Sequence, residues 1–162
     1  MRPLHDHQWV TQRIALGSAV VTRDHVQALV ADGITHVLDC RLGEGGQALY
    51  EGTTIRYMSA PTADDGKPKA EEWFRKGIAF VLTALSIPKA RVLIHCMMGV
   101  SRSPSMTYAV LRSLGHPPDD SVKCIKRARA LASVTYKEDA DRAITAIEQK
   151  RTAALRGVPR RR

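Results

Sequence analysis

The stretch Arg91-Val92-Leu93-Ile94-His95-Cys96-Met97-Met98-Gly99-Val100-Ser101-Arg102-Ser103-Pro104-Ser105-Met106-Thr107-Tyr108-Ala109-Val110-Leu111 decides how this chain is read. Its first four residues are a run of buried-strand type, and the segment from Ser105 reads as the start of a buried helix. A cysteine therefore stands at a strand end and an arginine at a helix start, with five residues between them. That layout predicts an anion pocket built around a nucleophile, with phosphate ester cleavage as its chemistry.

The residue types suit that chemistry. A thiol attacks phosphorus as its thiolate, and a free cysteine with a pKa of about 8.5 is mostly protonated at neutral pH. Backbone N–H groups turned inward at a helix N-terminus lower that pKa and bind phosphate oxygens. Gly99 permits backbone angles that a side chain would oppose. Arg102, always charged and forked, can hold two phosphoryl oxygens. Ser103 places a hydroxyl where it can bond the cysteine sulfur and assist its departure. His95 is expected to orient the loop rather than to titrate, and Ser101 either shapes the loop or binds phosphate. Met97, Met98, Gly99, Val100, Ser101 and Arg102 together form the predicted phosphate-binding loop.

Outward from this stretch, strands and helices alternate. Ile14–Gly17, Ile34–Asp39 and Thr54–Met58 read as strands. A helix capped by Thr22 or Asp24 runs through Val26, Leu29 and Val30 to Gly33. Leu42–Gly46 and Ala60–Lys69 are loops rich in Gly or Pro. Trp73, Phe74, Ile78, Val81, Leu82 and Leu85 give Glu71–Leu85 a helical period. Helices over Ser105–Leu114, over Val122–Leu131 capped by Asp119 or Ser121, and over Lys137–Arg151 complete the pattern. The expectation is an α/β fold with a largely parallel central sheet flanked by helices. One catalytic domain spans 1–152, and a basic tail at 153–162 is expected to be flexible.

Composition narrows the classes. The 162 residues carry a net charge of +9, with 44% apolar and 25% charged residues. No apolar run approaches the roughly 20 residues that cross a bilayer, and no signal-peptide pattern opens the chain, so an intracellular, cytoplasmic location is expected. Three scattered cysteines and no Cys-x-x-Cys pair argue against a disulfide framework and a structural zinc. Lys123, Lys126, Arg127 and Arg129 read as a solvated helix face, with attraction of an anionic substrate as the sharper reading. With aromatics at 5%, a dedicated nucleic-acid partner is not expected.

The sequence His95–Ser103 resembles the signature of cysteine-dependent protein tyrosine phosphatases, in the compact dual-specificity form. Ile14–Ser18 and Gly33–Asp39 look like that family's opening strands. The resemblance implies the phosphotyrosine phosphatase fold, a phosphocysteine intermediate, and neither metal nor cofactor. It also implies a shallow pocket open to phosphotyrosine and phosphoserine or phosphothreonine on a protein substrate. The family takes its general acid from an upstream loop. Asp64 and Asp65 lie 32 and 31 positions before Cys96, and family spacing favours Asp64. Cys40 reads as a core or loop cysteine, while some relatives carry a backdoor cysteine there, which makes it a candidate redox partner of Cys96.

The helix after the motif departs from the family in Tyr108-Ala109-Val110-Leu111-Arg112, where eukaryotic members commonly have Ala-Tyr-Leu-Met. Met97, Met98 and Val100 are apolar where phosphoinositide-directed relatives tend to carry lysines. That favours a phosphoprotein, although Lys126 and Arg129 are candidates for a secondary anion site. A rhodanese-type sulfurtransferase is disfavoured by Ser103 and the Asp64-Asp65 loop. A low-molecular-weight tyrosine phosphatase is disfavoured by the late position of Cys96, and a phosphate-binding pseudophosphatase by the intact set of reactive residues.

Overall fold

The computed structural model describes residues 4–43 and 45–157. In chain order the elements are β1 (His7–Trp9), β2 (Ile14–Gly17), α1 (Arg23–Ala31), β3 (His36–Asp39), a 3-10 turn (Gln47–Tyr50), β4 (Arg56–Ser59), α2 (Glu71–Leu85), β5 (Val92–His95), α3 (Arg102–Ser113), α4 (Pro118–Ala128) and α5 (Lys137–Arg156).

The strands form one sheet in the order β1-β2-β5-β3-β4, parallel throughout except for the antiparallel edge pair β1–β2. Strand period sorts the side chains. Ile14, Leu16, Leu38, Val92 and Ile94 enter a core shared with α2 to α5, while Ala15, Val37 and Leu93 enter a second core beneath α1. Every residue of β2, β3 and β5 is buried, as expected of parallel strands covered on both faces. Fully burying one leucine such as Leu93 contributes about 1.5–3 kcal/mol.

The expected α/β fold is what forms, and α2 spans the residues that its spacing predicts. Thr22 rather than Asp24 caps α1, accepting from the His25 N–H at 3.1 Å. One strand was not foreseen, and several helix bounds differ from those expected. β1, three half-buried residues, is too short to announce itself by period. Helix α3 begins at Arg102, three residues before Ser105, because the loop after β5 runs straight into it. Helix α4 begins at Pro118, whose fixed φ suits a first helical position, so neither Asp119 nor Ser121 is its cap. It also ends at Ala128, short of Leu131, and leaves Arg129 in extended backbone. Finally, α5 continues to Arg156, past the Arg151 at which the helix was expected to end; of the tail expected at 153–162, residues 158–162 lie outside the described residues.

Candidate active site

Cys96 directly follows β5, which is paired on both sides and so fixes where the loop begins. Every carbonyl from Cys96 to Ser101 is then engaged by a donor. Cys96 O accepts from His95 Nδ1 at 3.2 Å, and Met97 O from the Ala19 N–H at 2.9 Å. Met98 O and Gly99 O accept from Arg129 at 2.8 and 3.0 Å. Val100 O accepts from the Ser133 N–H at 2.7 Å, and Ser101 O from both the N–H and the hydroxyl of Ser105, at 3.2 and 2.9 Å.

The N–H groups from Met97 to Ser101 bond no carbonyl of the described residues. A trans peptide points its N–H away from its C=O, so engaging the carbonyls turns these donors toward the pocket. Gly99, at φ 65°, takes the turn that this requires. No side chain caps α3, so the positive end of the helix also faces the pocket.

Within this cradle the Ser103 hydroxyl donates to Cys96 Sγ at 3.1 Å. Burial opposes ionisation of the thiol. The Ser103 hydroxyl, the N–H groups of Ser103 and Gly99 and the charge of Arg102 outweigh it, and hold Cys96 below its ordinary pKa. Arg102 donates from Nη1 to Thr62 O at 3.0 Å, while its buried Nε has no acceptor among the described residues. A phosphoryl oxygen is the acceptor such a donor suits.

Asp64 and Asp65 diverge. Asp64 Oδ1 accepts from the Ser101 hydroxyl at 2.9 Å and from the Tyr136 hydroxyl at 2.8 Å. Asp65 Oδ1 instead accepts from Lys69 Nζ at 2.7 Å and from the Lys67 N–H at 3.0 Å, and Lys69 holds its pKa below the carboxylate range. The loop carrying both is tied to α2 by the Trp73 indole on Ala60 O at 2.7 Å, and to Tyr136 by the Gly66 N–H at 3.1 Å.

His95 is fully buried, and desolvation lowers its pKa, which favours the neutral imidazole. Its bond to Cys96 O requires the proton on Nδ1. Cys40 lies on the neighbouring strand end and donates its N–H to His95 O at 2.8 Å; burial, with Cys96 and Asp39 nearby, pushes its thiol well above the ordinary value. Met97 and Met98 stand exposed at the rim.

The two candidates for a secondary anion site both make bonds within the protein. Lys126 Nζ donates to Ala132 O at 3.1 Å, and Arg129 is saturated by Asp6, Gln8 and the loop carbonyls. Sequence reasoning missed Tyr136, which follows no recognisable spacing, and read Arg129, within its basic run, as part of a solvated face or a secondary anion site rather than as the partner of two loop carbonyls. Among the described residues no cluster of His, Cys, Asp or Glu could hold a metal ion, and no helix is long and apolar enough to cross a membrane.

This chain belongs to the dual specificity phosphatase catalytic-domain family, whose pattern matches residues 16–155. It is 34% identical over 110 residues to human dual specificity protein phosphatase 13B, covering 65% of this chain and 54% of that protein. To mouse dual specificity protein phosphatase 26 it is 31% identical over 120 residues, covering 73% and 56%. The chain thus spans about half the length of the curated relatives it matches. Among solved structures, PTPMT1 superposes with a TM-score of 0.75 at 18% identity, covering 91% of this chain and 99% of that one. Human DUSP28 gives a TM-score of 0.75 at 19% identity with the same coverage. PTPMT1 in complex with PI(5)P gives 0.71 at 18% identity, covering 88% and 98%. At these identities the structures establish the shared fold.

Proposed function

We propose that the protein is a cysteine-dependent phosphatase that hydrolyses phosphotyrosine, and phosphoserine or phosphothreonine, in protein substrates. The observation that carries this reading is the engagement of every loop carbonyl from Cys96 to Ser101. It leaves inward N–H donors and the Arg102 guanidinium around a thiol that ionises easily.

The Cys96 thiolate attacks phosphorus, the bond to the leaving oxygen breaks, and Asp64 supplies the proton that the leaving oxygen takes. Asp64 Oδ2, free of the two hydroxyls that occupy Oδ1, is the oxygen assigned to that proton. Water then attacks the phosphocysteine while Asp64 accepts a proton, and the Ser103 hydroxyl stabilises the departing thiolate. Arg102 binds the equatorial oxygens in both steps. Asp65, held ionised by Lys69, is unsuited to donate a proton. The exposed methionine rim, with Lys126 and Arg129 both engaged elsewhere, supports a phosphoprotein over a multiply charged phosphoinositide.

The test is hydrolysis of a phosphotyrosine peptide, a phosphothreonine peptide, p-nitrophenyl phosphate and a phosphoinositide by wild type and Cys96→Ser. We expect peptide turnover by the wild type, none by the variant, and a phosphate trapped on Cys96 in the quenched enzyme. Full activity in Cys96→Ser overturns the mechanism. Faster turnover of the phosphoinositide than of either peptide overturns the substrate class.

A further inference from the structure

Arg129 is the most heavily engaged cation near the site. Its Nε donates to Gly99 O at 3.0 Å, and Nη2 donates to Met98 O at 2.8 Å and to Asp6 Oδ2 at 2.7 Å. Nη1 donates to Asp6 Oδ1 at 2.8 Å and to Gln8 Oε1 at 2.6 Å. Its backbone is extended, at φ −142° and ψ 96°, because α4 has already ended, and this lets the side chain leave the helix face for the loop.

The guanidinium lies across a stack of backbones. A Cβ on Gly99 would fall 2.6 Å from Gly17 O and 2.8 Å from Arg129 Nε. A Cβ on Gly17 would fall 2.5 Å from Asp6 O and 2.8 Å from the Cβ of His7. Two glycines therefore let the N-terminal strand, the end of β2 and the phosphate loop come into backbone contact, and the Arg129–Asp6 pair fastens the layers together.

Peptide geometry carries this arrangement to the nucleophile. Met98 O and the Gly99 N–H belong to one planar trans peptide and point in opposite directions. Holding Met98 O on Arg129 aims the Gly99 N–H at Cys96, where it is one of the donors that favour the thiolate. Gly99 O, held by Arg129 Nε, likewise turns the Val100 N–H inward.

We propose that Arg129 and Asp6 are a positioning pair for the phosphate loop: Arg129 fixes the polarity of the Met98–Gly99 and Gly99–Val100 peptides, and Asp6, the residue before β1, fixes Arg129. The effect on turnover rests on the phosphatase reading above, whereas the effect on the thiol does not. The pair ties an exposed carboxylate in the N-terminal segment to the reactivity of a buried cysteine.

The experiment measures the pH dependence of Cys96 alkylation by iodoacetamide together with kcat and KM for p-nitrophenyl phosphate, in the full chain and with folding followed by circular dichroism. Arg129→Gln is expected to shift the alkylation pKa upward and to lower kcat/KM about 10- to 100-fold, most of it in kcat. Arg129→Lys restores only part, since an ammonium cannot span two carbonyls and a carboxylate at once. Asp6→Ala shifts both readouts in the same direction by less, and adds little in the Arg129→Gln background because the two act as a unit.

Folded Arg129→Gln and Asp6→Ala proteins with the wild-type alkylation pKa overturn the proposal, as do fully additive effects. If Arg129→Gln does not fold, Asp6→Ala decides alone, since that carboxylate is 54% exposed and its loss leaves no hole. A wild type that turns over no phosphoester, but whose thiol pKa responds to these substitutions, removes the phosphatase reading and leaves the positioning pair standing.

Discussion

Tyr136 donates its hydroxyl to Asp64 Oδ1 at 2.8 Å, from a position 72 residues further along the chain. Ser101 of the phosphate loop donates to the same oxygen at 2.9 Å. The pair of hydroxyls ties one aspartate of the Asp64-Asp65 doublet to the loop that follows Cys96, while Lys69 holds the other in an ion pair.

From this asymmetry, Asp64→Asn is expected to lower kcat on a phosphotyrosine peptide by about 10²- to 10⁴-fold and to abolish the alkaline limb of the pH–rate profile. Asp65→Asn should stay within a few-fold of wild type, and Tyr136→Phe should fall between the two. A large loss in Asp65→Asn with Asp64→Asn intact reverses the assignment of the acid.

Ser103 donates to Cys96 Sγ at 3.1 Å, the bond through which the proposed mechanism has it act in both steps. A hydrogen bond to a charged group contributes about 1.5–3 kcal/mol, so Ser103→Ala should slow phosphocysteine breakdown by about 10- to 100-fold. Rapid-quench kinetics should then show a burst of p-nitrophenol followed by slow turnover, with a raised Cys96 alkylation pKa. The absence of both would falsify this role.

Cys40 and Cys96 lie at the ends of the paired strands β3 and β5, both buried, and the Cys40 thiol is held well above its ordinary pKa. Peroxide should therefore oxidise the Cys96 thiolate first, giving a sulfenic acid and releasing hydroxide. Attack by Cys40 sulfur on that sulfenic acid then expels water and closes a disulfide. Mass spectrometry of peroxide-treated protein should find a Cys40–Cys96 peptide, and Cys40→Ser should lose the recovery of activity on thiol treatment. A peroxide-inactivated wild type without the cross-linked peptide removes this role for Cys40.

His5 is lowered to about 4, first by burial and then by the neighbouring charge of His7, against the opposing hydrogen bond to Ala19. Between pH 6.5 and about 4 the unfolded chain carries a proton at this site that the folded chain does not. Stability should fall on acidification through that window. His36 and His95, also lowered by desolvation, act with the same sign. Thermal melts should show Tm falling from pH 7 to pH 5, less steeply in His5→Gln. Equal slopes in the two proteins exclude His5 as a contributor.

Much of this protein was legible in the chain because it is locally encoded. Helix α2 follows from the spacing of Trp73, Phe74, Ile78 and Val81, and β5 from an apolar run that ends at Cys96. The Cys96–Ser103 segment carries nucleophile, loop glycine, arginine and hydroxyl within eight consecutive residues, so its chemistry could be read before its shape.

What the chain alone left open is long-range. Asp64 and Asp65 are neighbours of one residue type in one loop; only the arrival of Ser101 and Tyr136 at one of them, and of Lys69 at the other, distinguishes them. Arg129 reads as one of several cations on a basic helix, yet the helix stops before it and the folded layers deliver Asp6, Gln8 and two loop carbonyls to its guanidinium. Period and motif describe what a segment does with its own neighbours. Which distant donor reaches a given oxygen depends on how whole elements pack, and that was decided by the tertiary structure.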